Sequence, residues 1–165
     1  MVGFKDLCTS CKHQGCCTNS SVPLVFQHDL KSLKNIGKSG EKYLQEITIK
    51  DKKVKTIRKK ENSTMCIFWD ENERKCSIYE NRPFDCRAYP FDIFLINGKY
   101  HWIVYSCNPE SGWQWTEDHL NMLENNKQFL EIMKNIEIFS NLDEIKNMKK
   151  LHELSYTILR EVNFK

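Results

Sequence analysis

Four cysteines fall within ten positions near the start of the chain, Cys8-Thr-Ser-Cys11-Lys-His-Gln-Gly15-Cys16-Cys17. No other stretch constrains the fold as strongly, because clustered reduced thiols oxidise readily unless something shields or ligates them. A C-x-x-C turn lets two sulfurs converge on one metal. Gly15 gives the backbone freedom for a sharp bend before the next thiol. Cys16 and Cys17 are neighbours, and in an extended segment their side chains point to opposite sides. One of them is therefore expected to complete the site begun by Cys8 and Cys11, while the other turns toward a second site or into the packing.

A metal site is favoured over disulfides by the rest of the composition. Eight cysteines in 165 residues are too few for a disulfide scaffold. The first residues, Met-Val-Gly-Phe-Lys-Asp-Leu-Cys, lack the apolar core of a signal peptide. No apolar run approaches the ~18 residues that a membrane span requires. A cytoplasmic protein is expected, with thiols kept reduced and no membrane partner. The net charge of +3 does not imply a nucleic-acid partner.

After the cluster, Leu24, Val25 and Phe26 form a short apolar stretch. His28 and Asp29 open a helix carrying Leu30, Leu33 and Ile36, which Gly37 ends. A second short helix is expected to carry Tyr43, Leu44 and Ile47. Gly37-Lys38-Ser39 is not a phosphate loop, because the earlier glycine that motif needs is replaced by Ser32. The segment from Ile47 to Lys60 is strongly basic and partly alternating, which predicts a hairpin or edge strand turning at Asp51-Lys52-Lys53. Its lysines read as guards against edge pairing in preference to a docking surface for an acidic partner.

Two further hairpins are expected. One has arms at Met65–Trp69 and Cys76–Tyr79 around the polar Asp70–Lys75 loop, bringing Cys66 and Cys76 near each other. Pro83 suits the first turn of a short helix that holds Cys86 and Arg87, and Pro90 stops it. The other hairpin spans Asp92 to Cys107 around Asn97-Gly98, a type I′ pair. Its register should pair Ile96 with Lys99, Leu95 with Tyr100, Phe94 with His101 and Ile93 with Trp102. That geometry returns Cys107 toward Cys86. Beyond Pro109, Thr116 is a candidate N-cap for a long helix through Leu120, Leu123, Leu130, Met133 and Ile136. A second helix from about Asp143 would carry Ile145, Met148, Leu151, Leu154, Ile158 and Val162.

The order Cys8-x2-Cys11-x4-Cys16-Cys17, then Cys66, then Cys76-Ser-Ile-Tyr79-Glu-Asn-Arg82-Pro83-x2-Cys86-Arg87-x-Tyr89-Pro90-Phe91, resembles the CxxCxxxxCC zinc- or iron-chelating cysteine-cluster family, the YkgJ-like proteins. The resemblance runs from residue 8 to about residue 107, and the helices beyond carry no matching motif. It implies metal ligation by Cys8, Cys11, Cys16, Cys17, Cys66, Cys76, Cys86 and Cys107. A related domain occurs in flagellin lysine N-methylases, whose cluster is of iron–sulfur type and whose methyl donor is S-adenosylmethionine.

The chemistry weighs toward iron–sulfur, of [4Fe-4S] type, over zinc. A zinc ribbon shows two C-x2-4-C knuckles, and here only one such pair exists. A polynuclear cluster accepts thiolates from scattered positions. Arg82 and Arg87 bracket Cys86 and, with Tyr89, are candidate cofactor-binding residues; both guanidinium groups could equally pair with Asp85, Glu80 or a carbonyl. His13 reads as a loop residue, His101 as packing, and His28, His119 and His152 have no neighbours that suggest ligation.

The expected fold is α+β. A small antiparallel sheet and loops are pinned by a cysteine-ligated metal or iron–sulfur site over residues 1–112, and an antiparallel helix pair over residues 113–165 packs on it. Three functions follow: a cluster-binding protein, an S-adenosylmethionine-dependent lysine methyltransferase-like enzyme, or a structural zinc module presenting the basic hairpin to a protein partner. Against the enzyme, no G-x-G-x-G loop follows a strand.

Overall fold

A computed structural model describes residues 15–18, 23–105, 116–139 and 156–164. Within them the chain is α+β, with short helices around three antiparallel sheets. No helix among these residues is long and apolar enough to cross a membrane.

Helix α1 is Gly15–Thr18, followed by the short strand β1 (Leu24–Val25) and helix α2 (Gln27–Asn35). The expected helix start and stop are both found. Asp29 sits in the first turn of α2, where its Oδ2 accepts the Phe26 N–H at 3.0 Å. Gly37, at φ +68°, takes the left-handed conformation that closes the helix.

The second helix expected around Tyr43–Ile47 is instead strand β2 (Leu44–Ile49), paired with β3 (Lys52–Ile57). The β-branched run Ile47-Thr48-Ile49 suits a pleated surface, and its pairing partner Lys52-Lys53-Val54, just beyond the turn, completes it. The hairpin turn lies at Lys50-Asp51, one step before the expected position, and both residues have positive φ (47° and 63°). The sheet order is β1-β3-β2, so β2 is an edge while β3 has a neighbour on each side, β1 covering only its end.

This small sheet divides two cores. Leu24, Ile49 and Val54 join the larger cluster, and Val25, Leu44 and Ile57 join the smaller one. The register explains the split: Val54 lies opposite Ile47, and Ile57 lies opposite Leu44, on alternating sides of the pleat. Phe68, Ile78 and Leu33 complete the smaller cluster, against which Cys66, Cys76 and Cys86 pack.

Strands β4 (Trp69–Asp70) and β5 (Lys75–Cys76) form the expected hairpin in miniature. A 3₁₀ turn, Tyr79–Asn81, leads to helix α3 (Phe84–Ala88) with Pro83 as its N-cap residue. The β6 (Phe91–Ile96) and β7 (Lys99–Tyr105) pairing matches the expected register at all four predicted pairs. Asn97 and Gly98 both have positive φ, as a type I′ turn requires.

The expected long helix is broken into α4 (Thr116–Glu124), α5 (Lys127–Lys134) and α6 (Ile136–Phe139). Asparagines make the breaks, since their side chains compete for backbone groups. Asn126 caps α5 by accepting the Gln128 N–H at 2.9 Å, and Asn135 donates its side-chain amide to the Glu131 carbonyl at 2.9 Å. The end of the second expected helix is strand β8 (Tyr156–Glu161), antiparallel to β7. Ile158 therefore lies opposite Ile103 in a sheet, and Val162 donates its N–H to the Tyr100 carbonyl. A shift in register between the His101 and Ile103 pairings accompanies the inward packing of both Leu159 and Val162. The stretch from Asp143 through Leu154 lies outside the described residues.

Candidate metal centre

Of the eight candidate ligands, Cys16, Cys17, Cys66, Cys76 and Cys86 are described, and all five are half-buried reduced thiols. Cys8, Cys11 and Cys107 lie outside the described residues, as do His13 and His152.

Backbone contacts bring the described thiols in from four segments. Helix α1 carries Cys16 and Cys17, and it is tied to the loop before β4 because the Cys66 N–H donates to the Cys17 carbonyl at 2.8 Å. Thr64 Oγ1 adds a bond to the Thr18 carbonyl at 2.7 Å. Cys66 is bridged in turn to Lys59, and its carbonyl accepts the Trp69 N–H at 2.9 Å. Trp69 pairs with Cys76 across the small hairpin. Cys86 arrives on α3. There Phe84 and Ala88 share one face, four residues apart, and pack into the larger cluster, while Cys86 packs on the smaller one.

Two buried carboxylates fix α3, a role that the sequence did not reveal for either of them. Asp29 Oδ1 accepts the Phe84 N–H at 3.0 Å, where an N-terminal donor would otherwise be orphaned. Asp85 Oδ2 accepts the Leu24 N–H at 2.8 Å and joins α3 to β1. The only sequence signal was Asp29 in the first turn of an amphipathic helix.

Cys16 and Cys17 are not on opposite sides of an extended segment. The helical turn brings their sulfurs to 4.0 Å. Two thiolates on one tetrahedral zinc, each about 2.3 Å from it, stand about 3.8 Å apart. Neighbouring cysteines can thus face one ion.

Every resolved net shift of these thiols is upward. The hydrogen bond with Cys17, followed by burial, raises Cys16 well above the ordinary thiol range. Burial pushes Cys66 up to about 11, with Cys76 and Cys16 adding to it. Burial and the charges of Asp85, Cys66 and Cys76 raise Cys86 well above its ordinary value. Thiolates in such a setting repel one another and lack solvation, and a cation among them offsets both penalties and deprotonates them. The donor set therefore suits a thiophilic metal. Among the described residues no group of three or more His, Cys, Asp or Glu side chains is already arranged to hold an ion.

Arg82 and Arg87 differ in placement. Arg82 Nε donates to the Tyr79 carbonyl at 2.9 Å, and its guanidinium lies 3.6 Å from the centre of the Tyr79 ring. Its charge acts on both Cys16 and Cys86. Arg87 lies 5.8 Å from the Phe84 ring centre, and after burial, which lowers its pKa, its largest influence is Asp29. Tyr89 belongs to a separate aromatic group, stacked on Tyr105 at 5.9 Å. Glu131 accepts the Gln27 and His28 N–H groups at the start of α2 and also contacts His28 Nδ1, and His101 contacts the Lys99 carbonyl. His119 is buried beside the Phe91 ring, 5.3 Å between centres.

Comparison with known proteins agrees with this geometry. The family model "CxxCxxCC: Putative zinc- or iron-chelating domain" matches residues 7–108, more than half of the chain. An uncharacterized protein of Methanocaldococcus jannaschii, MJ0661, is 45% identical over 40 residues, which are 24% of this chain and 22% of that protein. The chain thus spans about a fifth of that relative's length. No solved structure matches. The matched segment begins one residue before Cys8 and ends one residue after Cys107, and the chain belongs to this zinc- or iron-chelating family.

Proposed function

We propose that the chain is a metal-binding protein whose ligands are drawn from Cys8, Cys11, Cys16, Cys17, Cys66, Cys76, Cys86 and Cys107, four of them holding an iron–sulfur centre of [4Fe-4S] type and the other four being enough for a second site. The observation that carries this reading is that Cys66, Cys76 and Cys86, from three separate segments, pack against the smaller cluster, and that α1, which bears Cys16 and Cys17, is tied to Cys66 by a backbone hydrogen bond. Their spread over a strand, a loop and two short helices suits a centre several ångströms across. Arg82 precedes the Cys86 helix, Arg87 lies on it and Tyr89 ends it, so all three are near one proposed ligand in the chain, and positive charge there suits an anionic centre. When bound, an iron–sulfur centre supplies one-electron redox chemistry; the chain supplies thiolates, burial and positive charge.

A second reading, structural zinc, is favoured by one distance. The 4.0 Å between the Cys16 and Cys17 sulfurs matches a shared tetrahedral ion. In that case the centre stabilises the loops and the function lies in presenting a surface to a protein partner. Methyl transfer from S-adenosylmethionine rests on the related methylases alone.

Elemental analysis of Fe, Zn and acid-labile sulfide on anaerobically purified protein decides among these. Iron and sulfide in equal amounts, with brown colour, support the iron–sulfur reading. A colourless protein with stoichiometric zinc replaces it by the second. Absence of both metals after anaerobic purification and reconstitution overturns metal binding for this chain. Calorimetric titration with S-adenosylmethionine tests the enzyme, and a saturable heat is the result that would support it.

A further inference from the structure

We propose that the outer edge of strand β2 is a docking edge that takes an extended acidic segment of another protein as an added strand.

The sheet order β1-β3-β2 leaves one side of β2 without a neighbour among the described residues. In an antiparallel pair, residues that exchange bonds across the ladder alternate with residues whose N–H and C=O point away from it. The Arg58 N–H donates to the Tyr43 carbonyl at 2.8 Å, whereas the Ile57 N–H turns the other way, to the Pro23 carbonyl. Residues 43, 45, 47 and 49 therefore face β3, and Leu44, Glu46 and Thr48 present their backbone outward. The chain itself satisfies Leu44. Its N–H donates to the Gly40 carbonyl, and its own carbonyl accepts Arg58 Nε, both at 3.1 Å. Glu46 and Thr48 are exposed, and no described residue takes up their outward N–H and C=O groups.

Nothing built into β2 closes this edge. Proteins blunt an exposed strand with lysine, proline or a bulge. Leu44–Ile49 holds neither lysine nor proline, and its pairing with β3 runs without a bulge. The lysines that the sequence suggested as edge guards lie on β3 instead, where Lys53 is tied to Glu46 at 3.0 Å. No proposed metal ligand lies on β2, so the edge is separate from the thiol centre.

Charge selects the occupant. Residues 38–55 hold six lysines against Glu41, Glu46 and Asp51, so this hairpin and the turn before it carry the whole of the chain's net charge of +3. Two of these cations, at the entry to β2, are held on an aromatic ring and not on a carboxylate. Lys38 Nζ donates to Tyr43 Oη at 3.1 Å and lies 4.7 Å from the ring centre, and Lys42 Nζ lies 5.5 Å from it. Lys50 stands exposed at the exit. An extended segment laid along Glu46 and Thr48 meets positive charge at both ends, which carboxylates of its own match. Its main chain supplies affinity through bonds to the Glu46 and Thr48 backbone, and its charge supplies selection. A second copy of this chain fits less well. Antiparallel pairing of two β2 strands brings Lys42 of one copy to the Lys50-Asp51-Lys52-Lys53 turn of the other, where like charges oppose. A single-stranded nucleic acid would need a stacking platform, and the Tyr43 ring is already stacked on Phe68 at 5.4 Å.

The test uses the full chain as purified and a probe peptide of about ten residues that alternates glutamate with threonine. Amide shifts and hydrogen exchange are followed by NMR. Binding should slow exchange of the Glu46 and Thr48 amides by about tenfold or more and should weaken steeply with added salt. Thr48→Pro removes an outward donor at a position where an edge strand tolerates proline, and should abolish binding. Lys42→Glu together with Lys50→Glu should weaken it by about tenfold or more. If Thr48→Pro does not fold, the same peptide N-methylated at alternate residues blocks strand addition and decides on the same terms. Binding that survives Thr48→Pro or N-methylation is general attraction between opposite charges and overturns the proposal, as does equal binding of a lysine–threonine peptide. Self-association of the parent that Thr48→Pro abolishes would put a second copy on the edge. Tighter binding of a single-stranded oligonucleotide through the same amides would make it a nucleic-acid surface, and either result overturns the proposal.

Discussion

On one face of the β1-β3-β2 sheet lies a core of long elements, and on the other a smaller core in which α2 is joined by short ones. The larger core is filled by Trp102, Phe129, Leu120 and Ile93, carried on the six- and seven-residue strands β6 and β7 and on helices α4 and α5. Trp102 and Phe129 stack at 5.9 Å between ring centres. The smaller core is bordered by two-residue strands, a three-residue turn, a five-residue helix and the four-residue α1. Elements so short gain few cooperative hydrogen bonds and little apolar burial of their own. The larger side can be held by packing, whereas the thiol side has the architecture of a region that needs a cross-link between its segments.

Metal removal should give the largest effect and break this symmetry most clearly. Stripping the bound metal, or the substitution Cys86→Ser, should lower metal content and stability together by several kcal/mol, since ligation and folding are coupled. Amides of residues 58–88 should exchange first, while those of β6 and β7 stay protected. Uniform loss of protection over both faces would show that the two sides do not differ in this way.

The reverse perturbation is Leu120→Ala. Leu120 is fully buried in the larger core, so its truncation should cost about 2–5 kcal/mol. Metal stoichiometry of the protein that remains folded should not change. A parallel loss of metal would mean that the thiol loops depend on the larger core for their arrangement.

The features that were readable from residue order are those that local chemistry decides. Asn97-Gly98 admits few turn geometries, so the β6–β7 register followed from it. The thiol spacing pointed to the zinc- or iron-chelating family, and Pro83 marked the start of α3. What was hidden depends on distant partners. Tyr156–Glu161 reads equally as a helix face, and only the open edge of β7, some fifty residues away, makes it a strand. The Asn125–Asn126 and Asn135 breaks were overridden by the leucine and isoleucine period, which continues through them. Asp29 and Asp85 look like solvent-facing carboxylates until the fold buries them under Phe26, Phe84 and Leu24.

Asp29 and His119 are both buried, and their effects on stability run in opposite directions with pH. Burial raises the Asp29 carboxyl from 3.8 to about 6, although the Phe26 and Phe84 N–H groups pull it down. The folded chain thus holds that proton more tightly than the unfolded one, and stability from this group is lost as pH rises from about 4 through 6. Burial lowers His119 from 6.5 to about 4. Its contribution is present above 6.5 and is lost as pH falls toward 4. Each corresponds to roughly 3 kcal/mol at most, so the parent protein should show a shallow profile between pH 4 and 6.5. Asp29→Asn should leave the His119 slope alone, with stability rising steeply with pH across this range. Denaturant unfolding at several pH values checks it, and parallel profiles for the two proteins would exclude Asp29 as the titrating group.

The smallest expected effect lies at the edge of the larger side. Arg160 on β8 donates to both carboxylate oxygens of Glu124 at 2.8 and 3.0 Å, and also reaches Glu117 at 2.7 Å. Glu124 further accepts Trp102 Nε1 and the Asn163 N–H, each at 2.8 Å. Burial alone would raise the Glu124 carboxyl, and these donors hold it below the ordinary range instead. Arg160→Ala should cost about 1–2 kcal/mol, because Glu124 keeps two of its donors and the guanidinium is partly solvated. Hydrogen exchange should quicken in β8 alone, since β6–β7 pairing does not pass through Arg160. If the amides of residues 58–88 quicken with it, the strand at the chain's end is coupled to the thiol side, and the division drawn by the sheet is weaker than its two cores imply.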